Sequence, residues 1–483
     1  MLGRTRRIHF VGVGGIGMSG IAELLANLGY EVSGSDARRS AITERLQSLG
    51  VGVYVGHDPL HVGNADVVVI SSAVKEDNPE VLESRRRRIP VIPRAEMLAE
   101  LMRLRYGIAI AGAHGKTTTT SMVALLLERA GLDPTAVIGG RLSAFGSNAR
   151  LGKGDYMVAE ADESDRSFLK LSPSIAVVTN IDREHMESYG SWENLQDAFA
   201  DFANKVPFYG AVVACIDDQP VRQLLPRITR RVITYGFAAP DAGDGPHVAA
   251  HSVVLESFGS RSIVTTRENA ERTELGTLEL EVPGRHNLLN ALAAVAVGLE
   301  TGVPYPRIAA ALAEFRGAER RFDHRGEAAG VMVVDDYGHH PTEISAVIAA
   351  ARAGVSRRLL VVFQPHRYTR TRDLLGEFGR ALAGADEVVL TDIYPAGESP
   401  LPGITADALA GAVRQAAACP VHLIHALDDV PAAVAALARP GDLVITLGAG
   451  SIGSVPDRIL DALNARLAEA GPRSDAGSGG QRH

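Results

Sequence analysis

Residues 108–130, IAIAGAHGKTTTTSMVALLLERA, place a short apolar run, a glycine-rich turn and a segment of helical period in immediate succession. Four residues of Ile and Ala are strand length, and the Ala/Leu-rich stretch after Lys116 is helix length, so the turn joins a strand to a helix. Strand, Gly-rich loop, Lys-Thr and helix together make a phosphate cradle. Amides of the loop and the helix N-terminus face the phosphates, Lys116 neutralises the β/γ oxygens, and the Thr117 hydroxyl can ligate Mg²⁺. Gly112, Ala113, His114, Gly115, Lys116, Thr117 and Thr118 are thus the candidate residues for ATP. The loop is shorter than GxxxxGK[ST], because Ile110 stands where the first glycine would be. A glycine turn ahead of an ordinary Thr-rich helix start is the structural alternative.

Outward from this stretch, β-branched runs alternate with Ala/Leu-rich helical segments through most of the chain, the pattern of parallel sheets covered by helices. The fold class is α/β. Strands are expected at Ile8–Val13, Val67–Ile70, Ile108–Ala111, Met157–Ala161, Ile175–Asn180, Met332–Asp335, Leu359–Phe363, Val388–Thr391 and Leu443–Leu447. Most of them end at Gly, Asp, Ser or Asn, and open α/β sheets bind ligands at the carboxyl ends of their strands. One domain boundary is expected before the strand at Ile108, after RRRRIPVIPRAEM, and a second near Gly317, before VMVVDDY. This divides the chain into 1–106, 107–316 and 317–470, followed by a small, polar, flexible tail, 471–483. Residues 238–250, AAPDAGDGPHVAA, read as a loop inside the second domain, and the four arginines 85–88 as a solvated helix face.

Composition narrows the class. At 483 residues the chain holds about three domains, and 46% hydrophobic against 22% charged residues suits several ordinary cores. With 49 Lys plus Arg against 57 Asp plus Glu, the net charge of -8 gives no electrostatic footprint for nucleic acid. Two cysteines, Cys215 and Cys419, are too few for a disulfide framework, so a reducing cytoplasm is expected. No apolar stretch approaches the ~20 residues of a membrane helix. Glycines at 12, 14, 15 and 17 interrupt the apolar start of the chain, so mature protein is expected there in place of a signal peptide.

Following the first strand comes Gly12-Val13-Gly14-Gly15-Ile16-Gly17, and Asp36 closes a second strand, YEVSGSD. This is a dinucleotide fingerprint in its proper context, with amides for a pyrophosphate and an acidic residue for a ribose hydroxyl. Any diphosphate nucleotide satisfies those contacts, nicotinamide and flavin cofactors included, and a tight structural turn uses the same glycines. In the run Glu160-Ala161-Asp162-Glu163-Ser164-Asp165, hard oxygen ligands end an apolar strand, and His185 follows the next one. Thr117, Glu160 and His185 form a candidate magnesium set, although acidic loops and lone histidines are commonly structural. Further polar clusters stand at element boundaries: GRHN at 284–287, Arg320-Arg321-Phe322, Asp335 through Pro341, and His366 through Arg370. Their arginines suit bidentate contact with phosphate or carboxylate groups.

Two nucleotide-phosphate sites, an acidic edge and a third α/β domain in one chain resemble the Mur ligase family. The resemblance runs from about Ile8 to Gly453 and rests on HFVGVGGIGMSGIAELL, SSAVKEDNPE, AGAHGKTTTTSM, EADESDRSFLKL, VVTNIDREHMESYG, GRHNLLNALAA, RRFDHRG, DDYGHHPTEI, FQPHRYTRT and TLGAGSIG, in family order. It implies an N-terminal Rossmann-like domain for a UDP-sugar, a central P-loop ATPase-type mixed α/β domain, and a C-terminal Rossmann-like domain that closes on ATP and the amino acid. It implies an ADP-forming carbon–nitrogen ligase of peptidoglycan precursor synthesis, cytoplasmic, monomeric or homodimeric, with ATP and Mg²⁺. GVGGIGMSG resembles the branch that adds L-alanine to UDP-N-acetylmuramate. A related recycling branch attaches a murein peptide to the same sugar nucleotide.

By this resemblance Gly12, Gly14, Gly15 and Gly17 cradle the UDP diphosphate, with Asp36, Ser71 and Ser72 nearby, and no hydride is transferred. Lys116 and Thr117 hold ATP phosphates and Mg²⁺, Glu160 and His185 complete the metal sites, and His286 and Asn287 contact adenine. Arg321 and Asp336 serve ATP from the third domain, while His339, Arg367 and Arg370 line the amino-acid end. The implied catalytic group is Lys116, His185, His339, Arg367 and Arg370. Ala113 departs from the threonine expected in the loop, which removes a hydroxyl contact and leaves the backbone cradle. An NAD-dependent oxidoreductase leaves the phosphate loop unused, and a nucleotide-gated regulatory protein predicts no phosphate release.

Overall fold

The structure is a computed structural model that describes residues 3–71, 73–142, 147–239, 245–256, 258–268, 271–318, 320–354 and 357–470. Three sheets divide the chain. The first contains β1 (Arg7–Val11), β2 (Glu31–Asp36), β3 (Gly52–Val55), β4 (Val67–Ile70) and β5 (Val91–Pro93), ordered β3-β2-β1-β4-β5 and parallel throughout. The chain leaves β1 for β2 and later returns to its other side as β4, so the crevice above β1 and β4 is a topological switch point.

The second sheet is built from β6 (Tyr106–Ala111), β7 (Thr135–Leu142), β8 (Ser147–Arg150), β9 (Tyr156–Glu160), β10 (Ile175–Val178), β11 (Ala211–Cys215), β12 (Val232–Phe237), β13 (Val248–Glu256), β14 (Gly259–Glu268) and β15 (Glu271–Leu280). Its order, β15-β14-β13-β12-β11-β10-β6-β9-β7-β8, puts β6 between β10 and β9, all three parallel. Strand side chains alternate faces. Accordingly Ile108 and Ile110 join one core with the helices Lys116–Arg129 and Arg285–Glu300, while Ala109 and Ala111 join another with Trp192–Asn204. Met122, Leu125, Leu126 and Leu127 are withdrawn from water, worth about 1.5–3 kcal/mol for each such side chain. The second core runs on without interruption through Leu98 and Met102 to Ile8 and Phe10, so the first two sheets share one apolar interior.

The third sheet comprises β16 (Asp323–Ala328), β17 (Val331–Asp336), β18 (Leu359–Phe363), β19 (Glu387–Leu390), β20 (Val421–Leu423) and β21 (Leu443–Leu447), ordered β16-β17-β21-β18-β19-β20. Only the β16–β17 pair is antiparallel in this sheet. It has a core on each face, around Phe363 and Phe378 on one and Val362 and Ile459 on the other. Packing gathers the chain into two compact units, Met1–Val254 with Gly259–Glu319, and Arg320–His483 with Leu255–Phe258.

Each of the nine expected strands is present, three with the expected bounds and the others within two residues at either end. Arg85 to Arg88 are exposed at and just after the end of the helix Pro79–Arg86. The loop expected over 238–250 requires correction, because Val248–Ala250 already belong to β13, paired with Tyr235–Phe237. Residues 240–244 of that loop and the tail 471–483 lie outside the described residues. Among the described residues no helix is long and apolar enough to cross a membrane.

Candidate active site

The central loop is fixed by the segment that follows β10. Thr179 Oγ1 donates to the His114 carbonyl at 2.7 Å, Asn180 Nδ2 donates to the same carbonyl at 3.0 Å, and Asn180 Oδ1 accepts the His114 N–H at 2.8 Å. Gly112, at φ +140°, lies so close to Thr179 that a methyl group there would overlap the hydroxyl. Gly115, at φ +80°, caps the helix Lys116–Arg129, and a Cβ on it would stand 2.5 Å from Asn290 Oδ1. Both positions require glycine for conformation and for space. Ala113 contributes through its backbone, its N–H donating to the Asn180 carbonyl at 3.2 Å and its carbonyl accepting from Lys116 Nζ at 3.0 Å. The missing threonine hydroxyl therefore leaves the cradle closed.

Lys116 Nζ also donates to the Gly112 carbonyl at 2.5 Å and to Glu163 Oε1 at 2.8 Å. Burial pushes the Glu163 carboxyl up to about 7, against the pull of the lysine. Burial works to lower the Lys116 ammonium, but the charge and hydrogen bond of Glu163 outweigh it and raise it. The ammonium thus stays charged in its loop. Glu163 Oε2 is buried without a hydrogen-bond partner. One oxygen of Glu163, one of Glu184 and a ring nitrogen of His185 lie within 4.8 Å of one another. An orphaned buried carboxylate oxygen beside a second carboxylate and an imidazole is a donor set that fits a hard divalent cation.

Register sets Glu160 opposite Ile110, so it ends β9 beside the strand that feeds the loop. Of the magnesium set expected from sequence, His185 belongs to the converging cluster. Its other members, Glu163 and Glu184, were not singled out as ligands, although Glu163 stands in the quoted acidic run. His185 has φ +55° at the start of the short helix Met186–Tyr189, an uncommon conformation for a side-chain-bearing residue. On the helix Arg285–Glu300, Asn287 Nδ2 donates to the Pro283 carbonyl at 2.7 Å. Asn290, one turn on, accepts from Thr119 Oγ1 at 3.2 Å and donates to Asn287 Oδ1 at 3.4 Å, tying this helix to the loop helix. Sequence reading stopped at His286 and Asn287. The signal for Asn290 was an amide repeated at i+3 on an otherwise apolar helix face.

The glycine loop of the first sheet occupies its switch point. Gly12 and Val13 donate to the Ser35 carbonyl, and Asp36 Oδ2 accepts the Gly14 N–H at 2.9 Å, so the acidic residue closes the loop. A Cβ on Gly12 would stand 3.4 Å from Ser71 Oγ, which brings the ends of β1 and β4 together. Gly15 caps the helix Ile16–Asn27. Ser72 lies outside the described residues.

In the second unit, Asp336 ends β17 and accepts backbone N–H groups of Phe322 at 2.7 Å and Gly338 at 2.6 Å. Burial pushes its carboxyl up to about 6, against the pull of Arg321. Arg321 donates to Glu343 Oε1 at 3.2 Å, and Glu343 Oε2 accepts the His339 N–H at 3.0 Å, so one carboxylate gathers both predicted residues. At the end of β18, the His339 and His366 rings meet edge to face at 5.5 Å, and Arg370 Nη1 lies 3.3 Å from His366 Nδ1. Arg367 has φ +71°, and its guanidinium forms no hydrogen bond or ion pair with a protein group among the described residues. The nearby Glu398 carboxylate feels this charge without bonding to it, so the guanidinium keeps its donors for an anionic ligand.

The chain matches three family models, the Mur ligase family catalytic domain over residues 7–106, the Mur ligase middle domain over 110–298, and the Mur ligase glutamate ligase domain over 320–450. Among its relatives, the UDP-N-acetylmuramate–L-alanine ligase of Geobacter sp. (strain M21) is 55% identical over 96% of this chain and 99% of its own. The enzyme of the same name from Anaeromyxobacter sp. (strain Fw109-5) is 56% identical over 96% and 99%. Of solved structures, the UDP-N-acetylmuramate-alanine ligase of Thermotoga maritima aligns with a TM-score of 0.79 at 28% identity, covering 96% of this chain and 100% of that one. A murein peptide ligase from Psychrobacter arcticus 273-4 shares the fold, with a TM-score of 0.69 at 23% identity over 95% and 99%.

Proposed function

The chain belongs to the Mur ligase family, and from that premise we propose that it joins L-alanine to the lactyl carboxylate of UDP-N-acetylmuramate at the expense of ATP. Full-length relatives that carry this activity in their names carry the choice of amino acid. The reaction is a step in building the peptidoglycan precursor and runs in the cytoplasm, where its nucleotide substrates are.

The lactyl carboxylate attacks the γ-phosphorus of ATP, which gives an acyl phosphate and ADP. The alanine amine attacks the acyl carbon, and the tetrahedral species expels phosphate to leave an amide. Gly112 to Thr118 hold the ATP phosphates, with Lys116 exchanging Glu163 for the transferring phosphoryl group as charge develops there. His286 and Asn287 lie at the adenine end, and Arg321 and Asp336 contact ATP from the C-terminal domain. Thr117, Glu160 and His185, with Glu163 and Glu184, would hold magnesium, which supplies charge neutralisation on the phosphates. The glycine loop 12–17, with Asp36, Ser71 and Ser72, seats the UDP diphosphate. Arg367 and Arg370 hold the alanine carboxylate, with His339 beside them, so that the amine is aimed at the acyl carbon. Domain boundaries at 106/107 and 316/317 separate the part that seats the UDP-sugar, the part that seats ATP, and the part that brings the amino acid and further ATP contacts.

The single observation that carries the reading is Lys116 held in a glycine cradle beside a converging carboxylate–imidazole cluster. Phosphate release from Mg-ATP in the presence of UDP-N-acetylmuramate tests it, with L-alanine, glycine, L-serine, the murein tripeptide and no acceptor compared. Release is expected to be strongest with L-alanine and matched by UDP-N-acetylmuramoyl-alanine. Release with tripeptide alone would move the protein to the recycling branch, and none with any acceptor would sink the ligase reading.

A further inference from the structure

Arg94 opens the helix Arg94–Met102. A cation in the first turn is disfavoured by the helix dipole, so helix stability gives no reason for arginine there. Its guanidinium packs against Gly17, the last glycine of the diphosphate loop, so closely that a methyl group at residue 17 would overlap it. From that place Arg94 Nη2 donates to Asp162 Oδ2 at 3.2 Å. Asp162 precedes Glu163, the ion-pair partner of Lys116. All of these residues lie in one compact unit. A line of alternating charge therefore runs from the loop of the first sheet through Arg94 and Asp162 to Lys116 in the loop of the second.

We propose that Arg94 is a positioning residue shared by the two nucleotide sites: it faces the diphosphate at the Gly12–Gly17 loop and, by neutralising Asp162, leaves the charge of Lys116 to the ATP phosphates. This rests on the reading of the two loops as the seats of UDP-sugar and ATP. Without Arg94, Asp162 loses its ion-pair partner, keeps the Ser164 N–H on Oδ1 at 3.0 Å, and draws more on Lys116. Among the described residues no hydrogen bond or ion pair joins Arg94 to the Gly112–Thr118 loop, so its effect on ATP is assigned to Asp162.

That route is tested by a double-mutant cycle. Wild type, Arg94→Ala, Asp162→Asn and the double variant are titrated calorimetrically with UDP and, separately, with Mg²⁺ and the non-hydrolysable ATP analogue AMP-PNP. Arg94→Ala is expected to weaken AMP-PNP about tenfold. In the Asp162→Asn background the same change is expected to alter AMP-PNP binding by less than about twofold, whereas the loss of UDP affinity persists. A tenfold loss in both backgrounds, or unchanged AMP-PNP affinity in Arg94→Ala, would overturn the proposal. Arg94→Lys keeps the charge and is expected to retain AMP-PNP affinity; if Arg94→Ala does not fold, the cycle is run with Arg94→Gln. A wild-type protein that binds both probes but ligates no amino acid would sink the reaction assigned above and leave this cycle readable, and one that binds neither would overturn both.

Discussion

At His366 the ring stacks on Tyr394 with centroids 5.6 Å apart, and burial, with His339, Arg370 and Arg367 around it, pushes its pKa down to about 3. The histidine therefore stays neutral and leaves Arg367 and Arg370 as the cations of that corner. An ordinary histidine titrates near 6.5, so on acidification the unfolded chain takes up this proton first. The resulting stability is present above pH 6.5 and is lost as pH falls through the window from 6.5 toward 3. By pH 5 the loss reaches about 2 kcal/mol. Thermal melts at pH 7.5 and pH 5 are expected to show a smaller acid-induced fall in Tm for His366→Gln than for wild type. Parallel falls in the two proteins would mean that the ring is protonated in the folded state. The sequence marked HRYTR as a polar cluster but could not tell which member is buried neutral, because that depends on Tyr394 and His339, which only the fold brings to it.

Among elements, the helix Arg285–Glu300 does more than cover the second sheet. Asn290 fills the space that Gly115 leaves and bonds to Thr119 on the loop helix, so truncation to alanine opens a gap behind the phosphate cradle and leaves a buried hydroxyl unpaired. Asn290→Ala is expected to weaken AMP-PNP about tenfold and to leave UDP binding unchanged, measured by calorimetric titration. An equal loss for both nucleotides would show a general unfolding defect in place of a local one. Strands such as Ile108–Ala111 and Leu359–Phe363 were legible because both faces are buried and the run is continuously apolar. β13, β14 and β15 were not, since they form one end of the second sheet, and Glu271–Leu280 mixes Glu, Arg and Thr with only two buried positions. The P-loop and acidic run could be read locally, because the chemistry lies within a few consecutive residues. The Asn290 and Arg94 contacts could not, because Asn290 meets Thr119 across 171 residues and Arg94 meets Asp162 across 68.

For the molecule as a whole, the central question is how far two nucleotide loops that share one apolar interior act as separate sites. The diphosphate loop is built from the backbone of residues 12–17, closed by Asp36 with Ser71 beside Gly12, and among the described residues none of its hydrogen bonds reaches the second sheet. The Lys116 ammonium, conversely, bonds among the described residues to its own loop and to Glu163 alone. Removing the ammonium should therefore abolish one function and spare the other, apart from the indirect pull through Asp162 and Arg94. Lys116→Ala is expected to lose ligation and AMP-PNP binding while changing UDP affinity by less than about threefold. Calorimetric titration with each nucleotide, beside turnover on the same preparation, measures all three. Retained turnover would exclude the lysine from phosphoryl transfer. Concurrent loss of UDP binding would show that the shared interior, and not the line of charges through Arg94, transmits the state of one loop to the other. Preserved UDP binding with a small weakening, absent when Asp162 is also changed to asparagine, would place the link at that carboxylate.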